Sequence, residues 1–186
     1  MIDNFNQRKK DILEKADKSS IGSWDEKIIS LCEKINGSDN YYTTSSCAGR
    51  IVLMKDEEKK GEGLFLGVWH DKVNFEELKK ELENILDKGD VKFKTEPPII
   101  HIACRDLKSA SKLLEEAKHI GFKRSGVNAI SKNIILELCS TEKLEFPIIQ
   151  SNKILVDDEF LEVVIQKSNF LLNRGWVKIE KLIDFF

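Results

Sequence analysis

Helical and extended stretches follow one another along this chain without a regular strand–helix–strand alternation. That order excludes a doubly wound parallel sheet and points to the α+β class. Apolar residues at helical spacing predict helices over 5–16, 24–35, 74–86, 106–119 and 158–172, with a last amphipathic segment after Gly175. Ser23 with Glu26 reads as a capping box for the second of these, and Asn74 as the cap of the third. Leu107, Ala110, Leu113, Leu114 and Ala117 are expected on the buried face of the fourth. Extended patterns cover 41–54 in two pieces around 45–49, then 64–70, 99–104, 127–138 as a hairpin, and 153–156. A charged, glycine-bearing hairpin loop is expected over 55–63, and Pro97-Pro98 breaks any element before 99. The expected sheet is largely antiparallel or mixed, with flanking helices. A length of 186 residues suits one domain over 1–186, or two small ones at most.

Composition narrows the function classes. The 30 Lys+Arg against 32 Asp+Glu leave a net charge of −2, so bulk positive charge does not hold a nucleic acid. A local grip is still open, because the stretch 101–132 carries seven Lys/Arg against three acids. No apolar run approaches the 18–20 or so residues of a membrane span, and the polar first ten residues do not read as a secretory signal. Cys32, Cys47, Cys104 and Cys139 form no CxxC pair and are read as reduced cytosolic thiols, mostly in the core. There is no phosphate-binding GxxxxGK[ST], no strand-to-helix dinucleotide fingerprint and no GxSxG elbow.

Two runs are rich in groups that bind anions. Thr43-Thr-Ser-Ser-Cys-Ala-Gly-Arg50 offers small hydroxyls, a glycine for close backbone approach, and the planar fork of Arg50. From the residues alone it is equally a bulge with surface hydroxyls. Gly121-Phe-Lys-Arg-Ser-Gly126 offers two cations and a hydroxyl, or else a C-cap glycine and a solvated turn. A third loop, 17–25, holds three serines and a glycine and reads on spacing as a capping turn. His70 and His101 lie on strand patterns and His119 on a helix. Each is either a structural histidine or an acid–base group near neutral pH. Their spacing gives no zinc motif, and no metal is expected.

These blocks, in this order, resemble the tRNA wybutosine-synthesizing protein 3 family. The matching text is Lys18-Ser-Ser-Ile-Gly-Ser-Trp-Asp25, Tyr42-Thr-Thr-Ser-Ser-Cys-Ala-Gly-Arg-Ile51 and Trp69-His70. It continues with Pro98-Ile-Ile-His-Ile-Ala-Cys-Arg-Asp-Leu107, Gly121-Phe-Lys-Arg-Ser-Gly126, Glu145-Phe-Pro147 and Asp158-Glu-Phe-Leu161. The resemblance implies an S-adenosylmethionine-dependent methyltransferase acting on a ring nitrogen of the tricyclic guanosine derivative beside the anticodon of tRNA(Phe). It also implies a cytoplasmic enzyme with a large mixed, mainly antiparallel sheet, unlike the Rossmann methyltransferases, and no DNA or membrane partner. On this view Ser19, Gly22, Ser23, Ser45, Ser46, Gly49, Arg50, Lys123, Arg124, Ser125 and Gly126 contact cofactor or RNA. His70 or His101 accepts a proton and Asp25 orients the base. The 45–50 and 121–126 loops are expected to share one pocket. Ile21 stands where the family often has Lys, and Lys123 where it usually has Arg, so a bidentate contact there falls to Arg124. The competing readings are a non-catalytic RNA- or nucleotide-binding module using the same loops, and a metal-dependent hydrolase built on the three histidines.

Overall fold

The computed structural model describes residues 4–14, 24–57, 61, 63–130 and 133–186. The proposed Ser23–Glu26 capping box and the loop residues Ser19, Gly22 and Ser23 lie outside them. Helices and strands are both abundant, so the α+β class holds. The single large mixed sheet does not: there are two sheets, and every strand pairing among the described residues is antiparallel. Backbone contacts gather into two compact units. One comprises Met1–Ala48, Pro98–Thr141 and Gly175–Phe186, the other Gly49–Pro97 and Glu142–Arg174.

The first unit is built on a four-stranded sheet in the order β1 (Tyr41–Cys47), β5 (Ile99–Cys104), β7 (Ile134–Cys139), β6 (Gly126–Ile130). Alternation of side chains across a strand gives it two distinct faces. On one face α1 (Asn4–Leu13) lays Phe5 against Tyr42, with ring centroids 5.1 Å apart. Phe5, Tyr42 and Ala103 are buried together, with Ile12 and Ile135 packed on them. The other face is covered by α2 (Ile29–Gly37), entered through a 3-10 turn at Glu26–Ile28, and by α4 (Leu107–Ile120). Leu31, Cys32 and Ile35 of α2, and Ala110, Leu113 and Ala117 of α4, are buried. Each fully buried Leu or Ile is worth about 1.5–3 kcal/mol of transfer free energy.

Leu107 departs from the expected buried stripe, being 67% exposed. It occupies the first position of α4, directly after the cap Asp106, whose side chain accepts from Ser109 N. The buried face of the helix begins at Ala110, one turn further on. At the other end Gly121 sits at φ 124, a conformation that favours glycine, and closes the helix through its own N–H to Ala117 O.

The second unit has a five-stranded sheet in the order β3 (Phe65–Trp69), β2 (Arg50–Lys55), β4 (Val91–Glu96), β8 (Leu144–Gln150), β9 (Lys153–Ile154). Neither β4 nor β8 is among the expected strands. Phe93 of β4 is fully buried and stacks on Phe146 of β8 at 5.3 Å. Asn74 caps α3 (Phe75–Asn84) as expected, and Glu77 returns a bond to it, completing a capping box. The helix α5 (Asp158–Ile183) is continuous where a break at Gly175 was expected. Its Ser168 receives a hydrogen bond from Thr95 of β4 at 2.9 Å. From Gly175 onward α5 belongs to the first unit, and there the glycine is a packing residue. A Cβ at this position would meet Pro98 Cδ and Cγ at 2.7 Å, inside contact distance. The helix tolerates the cost of glycine, about 1 kcal/mol against alanine, because the proline ring needs the space.

Candidate active site

Across the sheet of the first unit, one row of residues runs Ser45, His101, Glu137, Gly126 on β1, β5, β7 and β6. Ser45 Oγ lies 2.8 Å from His101 Nδ1, and Glu137 Oε2 lies 3.0 Å from His101 Nε2. The two are separate strand neighbours of the same imidazole. The side chains of His101 and Glu137 are 23% and 36% exposed, so the row is open to solvent at its surface and fixed at its base.

A β-bulge creates this row. Pairing runs Tyr41–Cys104, Tyr42–Ala103, Thr43–Ile102, then slips by one residue so that Ser45 opposes His101. The extra residue is Thr44, whose hydroxyl donates to His101 O at 3.3 Å. Without the slip Thr44 would stand opposite His101, and Ser45 would turn to the helix-covered face. The 43–50 run is thus a strand over most of its length, not a loop. Its next hydroxyl, Ser46, points to the opposite face and accepts from the Cys32 thiol at 3.5 Å. Thr43 also faces the helices, where Asn36 Oδ1 accepts from its N–H at 2.8 Å.

Asp25 is 8% exposed, and its Oδ2 accepts from Ala48 N at 2.7 Å. Its carboxylate therefore ties the entry of α2 to the end of β1. In the 121–126 loop, Phe122 is buried and its N–H bonds to Ala117 O at 2.8 Å. Ser125 is buried too; its hydroxyl donates to Phe122 O at 2.6 Å and accepts from Cys139 N at 3.0 Å. Ser125 is accordingly engaged in holding the turn. Lys123 and Arg124, between these two anchors, are exposed. Gly126 opposes Glu137 at the far edge of the row from Ser45. At roughly 4.8 Å per strand, three steps put Ser45 and Gly126 about 14 Å apart, at the two ends of the row.

In the second unit Arg50 opens β2 directly after Gly49, which has φ 96. Its Nε donates to Glu96 Oε2 at 2.7 Å, and its guanidinium lies 4.8 Å from the centroid of Phe65. The planar fork is held by a carboxylate and an aromatic face. His70 follows the last residue of β3 and is half-buried. His119 is exposed in the last turn of α4, on the helix-covered side of the sheet, whereas His101 faces the other way. Those two do not converge on one ion.

Burial pushes the Cys32 thiol up to about 11 and the Cys104 thiol to about 12, so both stay protonated in the folded chain. None of the four cysteines is in a disulfide, and Cys47 and Cys139 are half-buried. Residue-type reasoning named Ser45 and His101 separately and missed Glu137. The available signal was a single carboxylate in the otherwise apolar strand Ile134–Cys139.

A cavity of about 470 Å³, lined by Tyr41, Lys108, Lys112, Phe185 and Phe186 among others, lies at the start of β1 and α4. Tyr41 faces the helices, its hydroxyl donating to Ser109 O at 2.9 Å. The cavity and His101 are therefore on opposite faces of the sheet.

The Methyltransferase TYW3 family profile matches residues 7–186. A Methanocaldococcus jannaschii protein named tRNA(Phe) 7-((3-amino-3-carboxypropyl)-4-demethylwyosine(37)-N(4))-methyltransferase is 43% identical over 158 residues, covering 83% of this chain and 81% of its own. A Thermococcus sibiricus protein of the same name is 37% identical over 185 residues, covering 97% and 93%. Among solved structures, the PH1069 protein from Pyrococcus horikoshii superposes with a TM-score of 0.84 at 33% identity, over 98% of this chain and 95% of that one.

Proposed function

The chain belongs to the Methyltransferase TYW3 family, and from that membership we infer that it methylates a ring nitrogen of the tricyclic guanosine derivative beside the anticodon of tRNA(Phe), with S-adenosylmethionine as donor. The acceptor we assign is N4 of the 4-demethylwyosine base at position 37, the atom in the relatives' name. The match over 7–186 carries this reading. No described helix is long and apolar enough to cross a membrane; a cytoplasmic site of action is part of the same proposal.

The donor set around His101 suits such a reaction. The other strand side chains of its face, including Tyr42, Ser45, Cys47, Ile99 and Cys139, carry no charge apart from the Glu137 carboxylate. A cationic sulfonium meets no ammonium or guanidinium among them, and the oxygens of Ser45 and Glu137 would face it. Lys123 or Arg124 would hold its carboxylate or an RNA phosphate. When bound, the donor supplies an electrophilic methyl whose leaving group is a neutral thioether. The protein's tasks are to align the acceptor nitrogen, keep water out and remove one proton. His101 takes that proton. Arg50, fixed by Glu96 and Phe65, is available to an anion only through the edge of its fork they leave open.

The test is incubation of hypomodified tRNA(Phe) with methyl-tritiated S-adenosylmethionine, followed by nucleoside digestion. Label is expected on the tricyclic nucleoside. Retained tRNA binding with no label transfer would instead make the chain a non-catalytic RNA-binding module. The exposed pair Lys123 and Arg124 gives a second expectation. Lys123→Ala and Arg124→Ala each flatten the slope of log affinity against log salt by roughly 0.7–0.9, as for one lost phosphate contact. Filter binding of tRNA between low and moderate salt measures it; unchanged slopes would remove both residues from the RNA contact.

A further inference from the structure

We propose that Glu137 is a positioning residue for methyl transfer, and that Ser45 Oγ is the atom through which the proton leaves the acceptor nitrogen. This rests on the methyltransferase reading above and adds the route of the proton.

Both ring nitrogens of His101 are taken, Nδ1 by Ser45 and Nε2 by Glu137. An ionised carboxylate only accepts hydrogen bonds, so Nε2 carries the ring hydrogen. Nδ1 then holds the lone pair, and the Ser45 hydroxyl donates to it. A proton from the substrate has no free ring nitrogen to reach. It enters through Ser45 Oγ, the exposed end of the chain of bonds. Three strands fix the three groups, and the bulge at Thr44 exists in the very place that brings Ser45 into line. Glu137 stands in a strand whose other side chains are Ile, Leu and Cys, a place where a carboxylate contributes little unless its partner matters.

The step balances as follows. The acceptor N–H bond breaks as the N–CH₃ bond forms, and the electron pair of the methyl–sulfur bond stays on sulfur. The released proton passes to Ser45 Oγ while the serine's own hydrogen moves to His101 Nδ1. The product is an imidazolium held between a neutral hydroxyl and the Glu137 carboxylate.

Four variants and two readouts test it. Glu137→Gln is isosteric and keeps an acceptor for Nε2–H but removes the charge. It is expected to lower kcat by at least about 10-fold, with KM for tRNA(Phe) unchanged within twofold. Glu137→Leu is expected to lower kcat further. In ¹⁵N-labelled protein, without tRNA or methyl donor, it should shift the His101 ring resonances away from the Nε2–H tautomer. Ser45→Ala is expected to lose kcat to a similar degree as Glu137→Gln, with the tautomer retained. Wild-type kcat in Glu137→Gln and Ser45→Ala, beside an inactive His101→Ala, would overturn the proposal and leave the methyltransferase reading standing. No methyl transfer by the wild-type protein itself would sink that reading instead. Should Glu137→Leu fail to fold, Glu137→Gln carries the kinetic test alone.

Discussion

His101→Ala lowers the rate of methyl transfer by about 10²- to 10⁴-fold and leaves tRNA affinity close to that of the wild type. At 1.36 kcal/mol per factor of ten, the loss corresponds to about 3–5 kcal/mol of transition-state stabilisation. The acceptor nitrogen must shed its proton as it gains the methyl group, and a fixed imidazole is a far stronger base than water. His101 is fixed for that task from two sides, at 2.8 Å by Ser45 and at 3.0 Å by Glu137. Affinity is spared because the ring sits on a strand row with no cation in it, while the exposed cations are in the 121–126 turn. Truncation at a half-exposed position removes two hydrogen bonds and opens no closed cavity, so the fold survives. Single-turnover methylation at saturating tRNA(Phe), with filter binding alongside, measures both parts. A rate within twofold of wild type would take His101 out of the chemistry.

The parts of this molecule that were legible in its sequence are those with local causes. The cap at Asn74, the helix ended by Gly121 and the hairpins all rest on signals a few residues long, and each formed where its signal lies. The two missed strands lack such a signal. Val91–Glu96 alternates perfectly between buried and half-buried positions, but half its residues are charged. Leu144–Gln150 contains Pro147, which argues against a strand. That proline is exposed and opposes Lys92 beside a register shift, where a missing N–H is tolerated. Gly175 read as a stop because its reason for being glycine is Pro98, 77 positions away in the sequence. The site failed in the same manner. Ser45 and Ser46 are indistinguishable by residue type, yet the bulge sends one to His101 and the other to Cys32. Phasing a strand across a bulge needs the partner's register, and Glu137 enters only through that register.

Phe122→Ala is expected to cost about 3–5 kcal/mol of stability, the usual penalty for truncating a fully buried phenylalanine. For a chain of this size that lowers the melting temperature by about 10 °C. The effect extends beyond the cavity. Phe122 is the first residue after the Gly121 cap, its N–H closes the end of α4, and its carbonyl receives the Ser125 hydroxyl. Ser125 in turn accepts from Cys139 N, and Arg124 N bonds to Cys139 O. One buried ring therefore anchors both the helix end and the turn that presents Lys123 and Arg124 beside the edge of β7. Removing those two cations instead, as Lys123→Ala with Arg124→Ala, breaks no buried contact and is expected to leave the melting temperature within about 2 °C of wild type. The two experiments separate the scaffold of the turn from its charges. Urea unfolding of both proteins reads the difference directly. A loss below about 1 kcal/mol in Phe122→Ala would mean that the Ser125 and Arg124 bonds to Cys139 hold the turn without the ring.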